Sequence, residues 1–300
     1  MNTRKQNGFS RPYHPFQIAT WLMSLFLVAV AILITLILET SLQIVFSLLF
    51  WPAQILYWIL GVLATCSDPT DPLVYQQEYA INNGLSFDER NREAVCTICS
   101  FYVAGNSKHC GYCNRCVSDF DHHCKWLNNC IGGKNYKLFI YLIVVLEING
   151  LIFIIFGLYT IIDRYSYQET KEKWIDIYGE TGEQVIDAFI FFQTSISLAV
   201  FLANGKLIIF HIWLRSNGMT TYDYICQMRK KNKIMSHTEA TSGEKADVNS
   251  NRSNEEISPR NHYPETKTLI GTSEELKIVE GATMRPSDTD SFENHKNLSG

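Results

Sequence analysis

Four long apolar stretches, and seven of the nine cysteines gathered between Cys96 and Cys130, predict an all-α polytopic membrane protein. The expected architecture is four transmembrane helices with a small zinc-stabilised cysteine-rich domain in the cytosolic loop between spans two and three. The formal net charge of -4 is close to neutral and gives no case for a nucleic-acid partner.

The spans come first in the chain. Phe16 to Leu38 and Leu42 to Thr65 contain no charged residue, and Leu138 to Ile162 and Ala188 to Leu214 are nearly as apolar. A helix needs about 20 apolar residues to cross the hydrocarbon layer, and each stretch is long enough. The first is too long for a cleavable signal peptide and has no small-residue cleavage site after it. Glu147 and Asn149 fall inside the third span, and Asn204, Gly205 and Lys206 interrupt the fourth. Glu147 is expected to face the bundle interior through a hydrogen bond, and Lys206 to snorkel.

Basic residues set the orientation. Arg4, Lys5 and Arg11 precede the first span, seven Lys or Arg lie in the loop from Cys66 to Lys137, and Arg215, Arg229, Lys230, Lys231 and Lys233 follow the fourth. The segment between spans three and four has only Arg164, Lys171 and Lys173 against seven acidic residues. Both termini and the large loop are therefore expected in the cytosol. The domain plan is a cytosolic N-terminus at 1–15, spans one and two within 16–65, and a loop at 66–137 whose cysteine-rich domain covers about 94–140. Spans three and four follow within 138–214 around a lumenal loop at 163–187. A juxtamembrane segment at 215–236 and a tail at 237–300 complete it. The tail is rich in Ser, Thr, Asn and Glu and is expected to be disordered.

The cysteines carry the chemistry. A disulfide framework suits neither an odd count nor the cytosol. The pairs Cys96/Cys99, Cys110/Cys113 and Cys113/Cys116 have the C-x2-C spacing that lets two thiolates share a tetrahedral ion. With His109, His122 and His123 the loop offers ten ligands, of which two closed zinc sites use eight. If each takes three Cys and one His, one Cys and one His remain. Spacing alone does not say which pair. Cys124 and Cys130 both lack a partner two residues away, but only Cys124 adjoins histidines and a carboxylate, Asp121. A thiol beside an imidazole oriented by a carboxylate is the arrangement that yields a reactive thiolate. The loop has little aliphatic material, so metal must supply much of its folding free energy.

At this point the residues resemble a known family. Cys96 to Phe139 is similar to the cysteine-rich domain of the DHHC protein S-acyltransferases, or palmitoyltransferases. Cys96, Cys99, His109-Cys110, Cys113, Cys116, Asp121 to Cys124, Cys130, Asn135 and Phe139 all fall in that pattern's register. The resemblance implies one zinc on Cys96, Cys99, His109 and Cys116, and another on Cys110, Cys113, His123 and Cys130. It also implies Cys124 as nucleophile, His122 as base and Asp121 as its orienter. Cys66-Ser67-Asp68-Pro69 is similar to an Asp-Pro-Gly element, with Thr70 for Gly. Thr220-Thr221-Tyr222-Asp223 is similar to a Thr-Thr-x-Glu element, which makes Thr221 a candidate support for Asp121. Lys125 stands where most members have Pro, and Val103 to Asn106 replaces a Lys-Pro-x-Arg run.

The implied reaction passes a fatty acyl chain from acyl-CoA to Cys124 and then to a cytosolic cysteine of a membrane-associated protein. Drawing a palmitoyl tail into water costs on the order of 10 kcal/mol, so a site at the bilayer edge is favoured. Only 13 residues separate Cys124 from Leu138, where the third span begins. A tail cavity among the spans is expected, and the multi-pass chain belongs in an endomembrane. Arg115, Lys125 and Lys134 are candidates to meet CoA phosphates. The rival reading, a membrane-anchored zinc ubiquitin ligase or adaptor, leaves Cys124 without a task.

Overall fold

In a computed structural model, residues 4–87, 94–248 and 283–284 are described. Four helices are long and apolar enough to cross a membrane: α1 (Pro15–Ile37), α2 (Thr40–Cys66), α4 (Tyr136–Ser166) and α5 (Gln168–Ser216). Between α2 and α4 lie a short helix α3 (Pro72–Asn82) and six strands of two or three residues. These are β1 (Ala94–Cys96), β2 (Tyr102–Val103), β3 (Lys108–Cys110), β4 (Arg115–Val117), β5 (His122–Cys124) and β6 (Asn129–Ile131). After α5 come α6 (Thr221–Val248) and β7 (Thr283–Met284).

Pro15 starts α1, where its missing N–H is no loss, and the His14 ring caps it by accepting from Phe16 N (3.1 Å). The outer faces of the four helices stay apolar: Leu22, Leu48, Ile155 and Ile209 are all exposed. Such a surface suits a lipid solvent. Inside the bundle, α4 packs between α2 and α5. Phe46 and Phe50 of α2 interlock with Phe153 and Phe156 of α4 at the end away from the cysteine-rich domain. Gly157 lets α5 approach closely, since a Cβ there would lie 2.3 Å from Thr194 Oγ1.

Buried polar side chains in the bundle find one another. Asn204 Nδ2 donates to Glu147 Oε2 (2.7 Å), the interior hydrogen bond expected for Glu147. Asn149 donates to Gln54 Oε1, and Gln54 donates to Ser24 Oγ (3.0 Å), which links α4, α2 and α1.

The segment 163–187, expected as a loop, is mostly helical. The α4 helix runs to Ser166 and α5 begins at Gln168, with one break at Gly179 (φ 76°). Buried Trp174 packs there beside the Arg164–Glu183 ion pair. The helix α6 likewise continues to Val248, past residue 236, and β7 pairs with β1. The remaining tail residues, 249–282 and 285–300, lie outside the described residues.

The strands form antiparallel hairpins β1–β2, β3–β4 and β5–β6. Two-stranded pieces this short are marginal alone. Left-handed residues Ser100 and Asn114 follow the second cysteine of two C-x2-C turns and let the chain reverse there.

Candidate active site and metal clusters

Strand register assembles the ligands. In β3–β4, His109 lies opposite Cys116, and in β5–β6, His123 lies opposite Cys130. The C-x2-C turns add the remaining thiols. One cluster is Cys96, Cys99, His109 and Cys116, the other Cys110, Cys113, His123 and Cys130, each with its ligand atoms within 4.8 Å of one another. His109 Nδ1 is 3.7 Å from Cys96 Sγ and 3.6 Å from Cys116 Sγ. His123 Nδ1 is 3.7, 3.4 and 3.8 Å from the sulfurs of Cys110, Cys113 and Cys130. Metal–ligand bonds of about 2.0–2.3 Å at tetrahedral angles span edges of roughly 3.5–3.8 Å, so the donor sets fit zinc. All nine cysteines are free of disulfides.

Alternation along β5 sends His123 to one face and His122 and Cys124 to the other. Cys124 is left over from both clusters. Its side chain is 6% exposed and shares an apolar cluster with Leu60 and Ala64 of α2 and Phe139, Leu142 and Ile143 of α4. His122 Nδ1 is 2.7 Å from Asp121 Oδ2. The His122 ring sits edge-on to Phe139, 5.2 Å between centroids. Burial disfavours charge on His122, but hydrogen bonds to Asp121 and Cys124 outweigh it and raise the imidazole to about 9. That combination favours the imidazolium form of His122.

Asp121, 2% exposed, is held from the start of α6. Thr221 N donates to Oδ1 (2.9 Å) and Thr221 Oγ1 to Oδ2 (2.8 Å). Burial would raise this carboxyl, but His122 and Thr221 hold it below its ordinary value. The helix N-terminus favours the same charge. Thr220 and Asp223 close a reciprocal cap: Thr220 N and Oγ1 both donate to Asp223 Oδ2 (3.1 and 2.8 Å), and Asp223 N donates to Thr220 Oγ1 (3.1 Å). Asp in place of Glu therefore still makes a capping box.

Asparagines fasten the β5–β6 hairpin to the bundle. Asn129 Nδ2 donates to the carbonyls of Ala64, Thr65 and Ser67 at the C-terminal end of α2 (3.0, 3.1 and 2.8 Å). Asn135 accepts from Gly132 N (2.9 Å) and donates to Ser67 Oγ (2.8 Å) and Cys130 O (2.9 Å). Asp68 accepts from Thr70 N (3.0 Å) and Thr70 Oγ1 (2.5 Å), so the Thr that replaces Gly adds a hydroxyl contact.

One nominated residue is corrected. Arg115 cannot meet a CoA phosphate, because it is 1% exposed and its two terminal guanidinium nitrogens are taken up by protein acceptors. It donates to Lys5 O, Gln6 O, Asp68 Oδ1 and Asn129 Oδ1. Its length and fixed fork suit a scaffold bolt better than a surface charge. Lys125 is half-buried and Lys134 exposed.

Sequence reasoning missed Tyr136 and His211. Tyr136 OH lies 3.1 Å from His211 Nδ1, and the His211 ring is 6.2 Å from that of His122. A histidine in an otherwise apolar span was the available signal. Asn129, Asn128 and the helix α3 also went unnoticed.

Comparison with known proteins places this geometry. The DHHC palmitoyltransferase family profile matches residues 89–228. Probable palmitoyltransferase ZDHHC11B of Homo sapiens is 29% identical over 248 residues, 75% of this chain and 67% of that protein. Palmitoyltransferase ZDHHC11 of Danio rerio is 33% identical over 75% of this chain and 57% of its own length. Protein S-acyltransferase 18 of Arabidopsis thaliana is 36% identical over 67% of this chain and 41% of its own. The chain thus spans between two fifths and two thirds of the length of these relatives.

Proposed function

Because this chain carries the domain of the DHHC palmitoyltransferase family, we propose that it is a protein S-acyltransferase. It would move palmitate or a similar long acyl chain from acyl-CoA to cysteine thiols of membrane-associated proteins. The carrying observation is the run Thr221–Asp121–His122, with Cys124 on the same face of β5 as His122 and packed among the apolar ends of α2 and α4.

In the first half-reaction the Cys124 thiol gives its proton to His122, and the thiolate attacks the thioester carbonyl of acyl-CoA. The carbon–sulfur bond to CoA breaks, and the departing CoA thiolate takes the proton from His122. A protein thiol then repeats the exchange on acyl-Cys124, passing its proton to His122 and returning Cys124 as a thiol. Asp121 holds the His122 tautomer through Nδ1, and Thr221 holds Asp121. Cys96, Cys99, His109 and Cys116 would hold one zinc, and Cys110, Cys113, His123 and Cys130 the other. Bound zinc supplies cross-links that keep the hairpins folded. The proposed arrangement keeps the acyl tail among the spans and the active face, with both termini, in the cytosol of an endomembrane system.

The test is incubation of the purified protein in detergent with labelled palmitoyl-CoA. A hydroxylamine-sensitive adduct is expected in wild type and none in Cys124→Ser, with two zinc ions per chain in both. Metal on Cys124, or no adduct in well-folded wild type, overturns the reading and leaves the ligase or adaptor alternative.

A further inference from the structure

A cleft of about 330 Å³ opens on the face of β5 that carries His123, opposite the one that carries His122 and Cys124. Its walls include Lys5, Arg11, His14, Tyr112, Asn114 and Asn128, and among the described residues no acidic side chain lines it. Lys5 is fixed in place: its N–H donates to Cys113 O (3.0 Å), and its ammonium donates to Pro12 O (2.9 Å) and Asn128 Oδ1 (3.1 Å). An ammonium has three protons, so one remains for a ligand. Asn128 Nδ2 in turn ties Gly8, Ser10 and Pro12 carbonyls around the rim. The cleft is thus a folded feature with a floor and a strap.

Its charged lining residues are Lys5 and Arg11, both basic. Burial lowers the His14 imidazole, and the charges of Lys125 and Lys5 lower it further. Lys125, which follows Cys124 in sequence, is not among the lining residues and reaches the cleft only through its charge on His14. It is the basic residue standing where most members of the family have Pro.

The depth of the cleft is marked by aromatics. His14 is the cap of the first candidate span. Around it, exposed Phe16 stacks on exposed Trp126 (4.8 Å), Phe9 stacks on Trp21 (5.9 Å), and Tyr13 meets Trp21 edge-on (6.2 Å). Exposed aromatic rings at the end of a spanning helix belong at headgroup level. We propose that this cleft binds the phosphate headgroup of an anionic phospholipid, gripped by Lys5 and Arg11. The soluble phosphates of CoA share the chemistry but would enter from the other face, where Cys124 lies. A lipid here would clamp the N-terminal strap against the second metal cluster.

The experiment uses the full chain with Cys124→Ser in non-ionic detergent, so acyl transfer plays no part and a failure leaves that reading standing. Dioctanoyl phosphatidic acid is titrated by calorimetry, with dioctanoyl phosphatidylcholine, inorganic phosphate and CoA as separate arms. Saturable binding of the phosphatidic acid alone is expected. Arg11→Ala and Lys5→Met should each weaken it about fivefold, and together about 25-fold. Lys230→Ala on α6 should stay within about twofold, with zinc content unchanged throughout. Equal affinity in the variants and wild type overturns the site. Binding of CoA or inorganic phosphate at least as tight as the lipid, weakened by the same variants, overturns the lipid as its source.

Discussion

Removing a single hydroxyl, in Thr221→Val, tests whether Asp121 is positioned from the start of α6. Thr221 gives Asp121 two bonds, from N (2.9 Å) and from Oγ1 (2.8 Å), and His122 gives the third contact (2.7 Å). Valine keeps the shape and the backbone donor and deletes only the hydroxyl. A hydrogen bond to a buried charge contributes about 1.5–3 kcal/mol, which sets a ceiling of about 10-fold to 150-fold on the rate. The expected loss is about tenfold in adduct formation at saturating palmitoyl-CoA, with zinc content intact. Thr221→Ser restores the donor and should recover to within about threefold of wild type. Valine within twofold of wild type, or serine as slow as valine, would refute the positioning argument.

Asp223→Glu should be silent within about twofold, since either acid closes the cap with Thr220, whereas Asp223→Ala should cost about 1 kcal/mol at the start of α6 and slow the adduct. Asn129→Ala removes three bonds to the end of α2 and one partner of buried Arg115, and should destabilise the protein by about 3 kcal/mol in thermal unfolding followed by tryptophan fluorescence. Chelation of zinc should expose the segment 94–131 to protease within minutes while the four spans stay intact, because the hairpins lack a sufficient core of their own. His122 is raised to about 9, so its pairing with Asp121 contributes fully below about pH 6.5 and is lost as pH climbs through 9. The gap in unfolding midpoint between wild type and His122→Gln should therefore narrow over that interval.

The parts of the site legible in sequence were those with a local pattern. Apolar runs announce spans whatever their neighbours, and C-x2-C spacing announces metal because two thiolates must reach one ion. The division of labour within Asp121–Cys124 needed family resemblance, since spacing alone left Cys124 and Cys130 open. Its physical basis is strand alternation: His123 and Cys130 face each other across β5–β6, and Cys124 faces α2. Tertiary recruitment hid the rest. Arg115 reads as surface charge until its acceptors from residues 5, 6, 68 and 129 converge on it. His211 reads as a blemish in a span until Tyr136 arrives from another helix. The helical character of 168–187 was masked by its charge, which suits a helix exposed to water as well as it suits a loop.

Asn129 also makes the second span a gauge block for the chemistry. Its grip on the last carbonyls of α2 transmits that helix's length directly to the thiol, because nothing compliant intervenes. One residue added to α2 would hoist the hairpin by about 1.5 Å and swivel it by about 100°. The elevation of Cys124 above the lipid is thereby written into a count of residues far from any reacting atom.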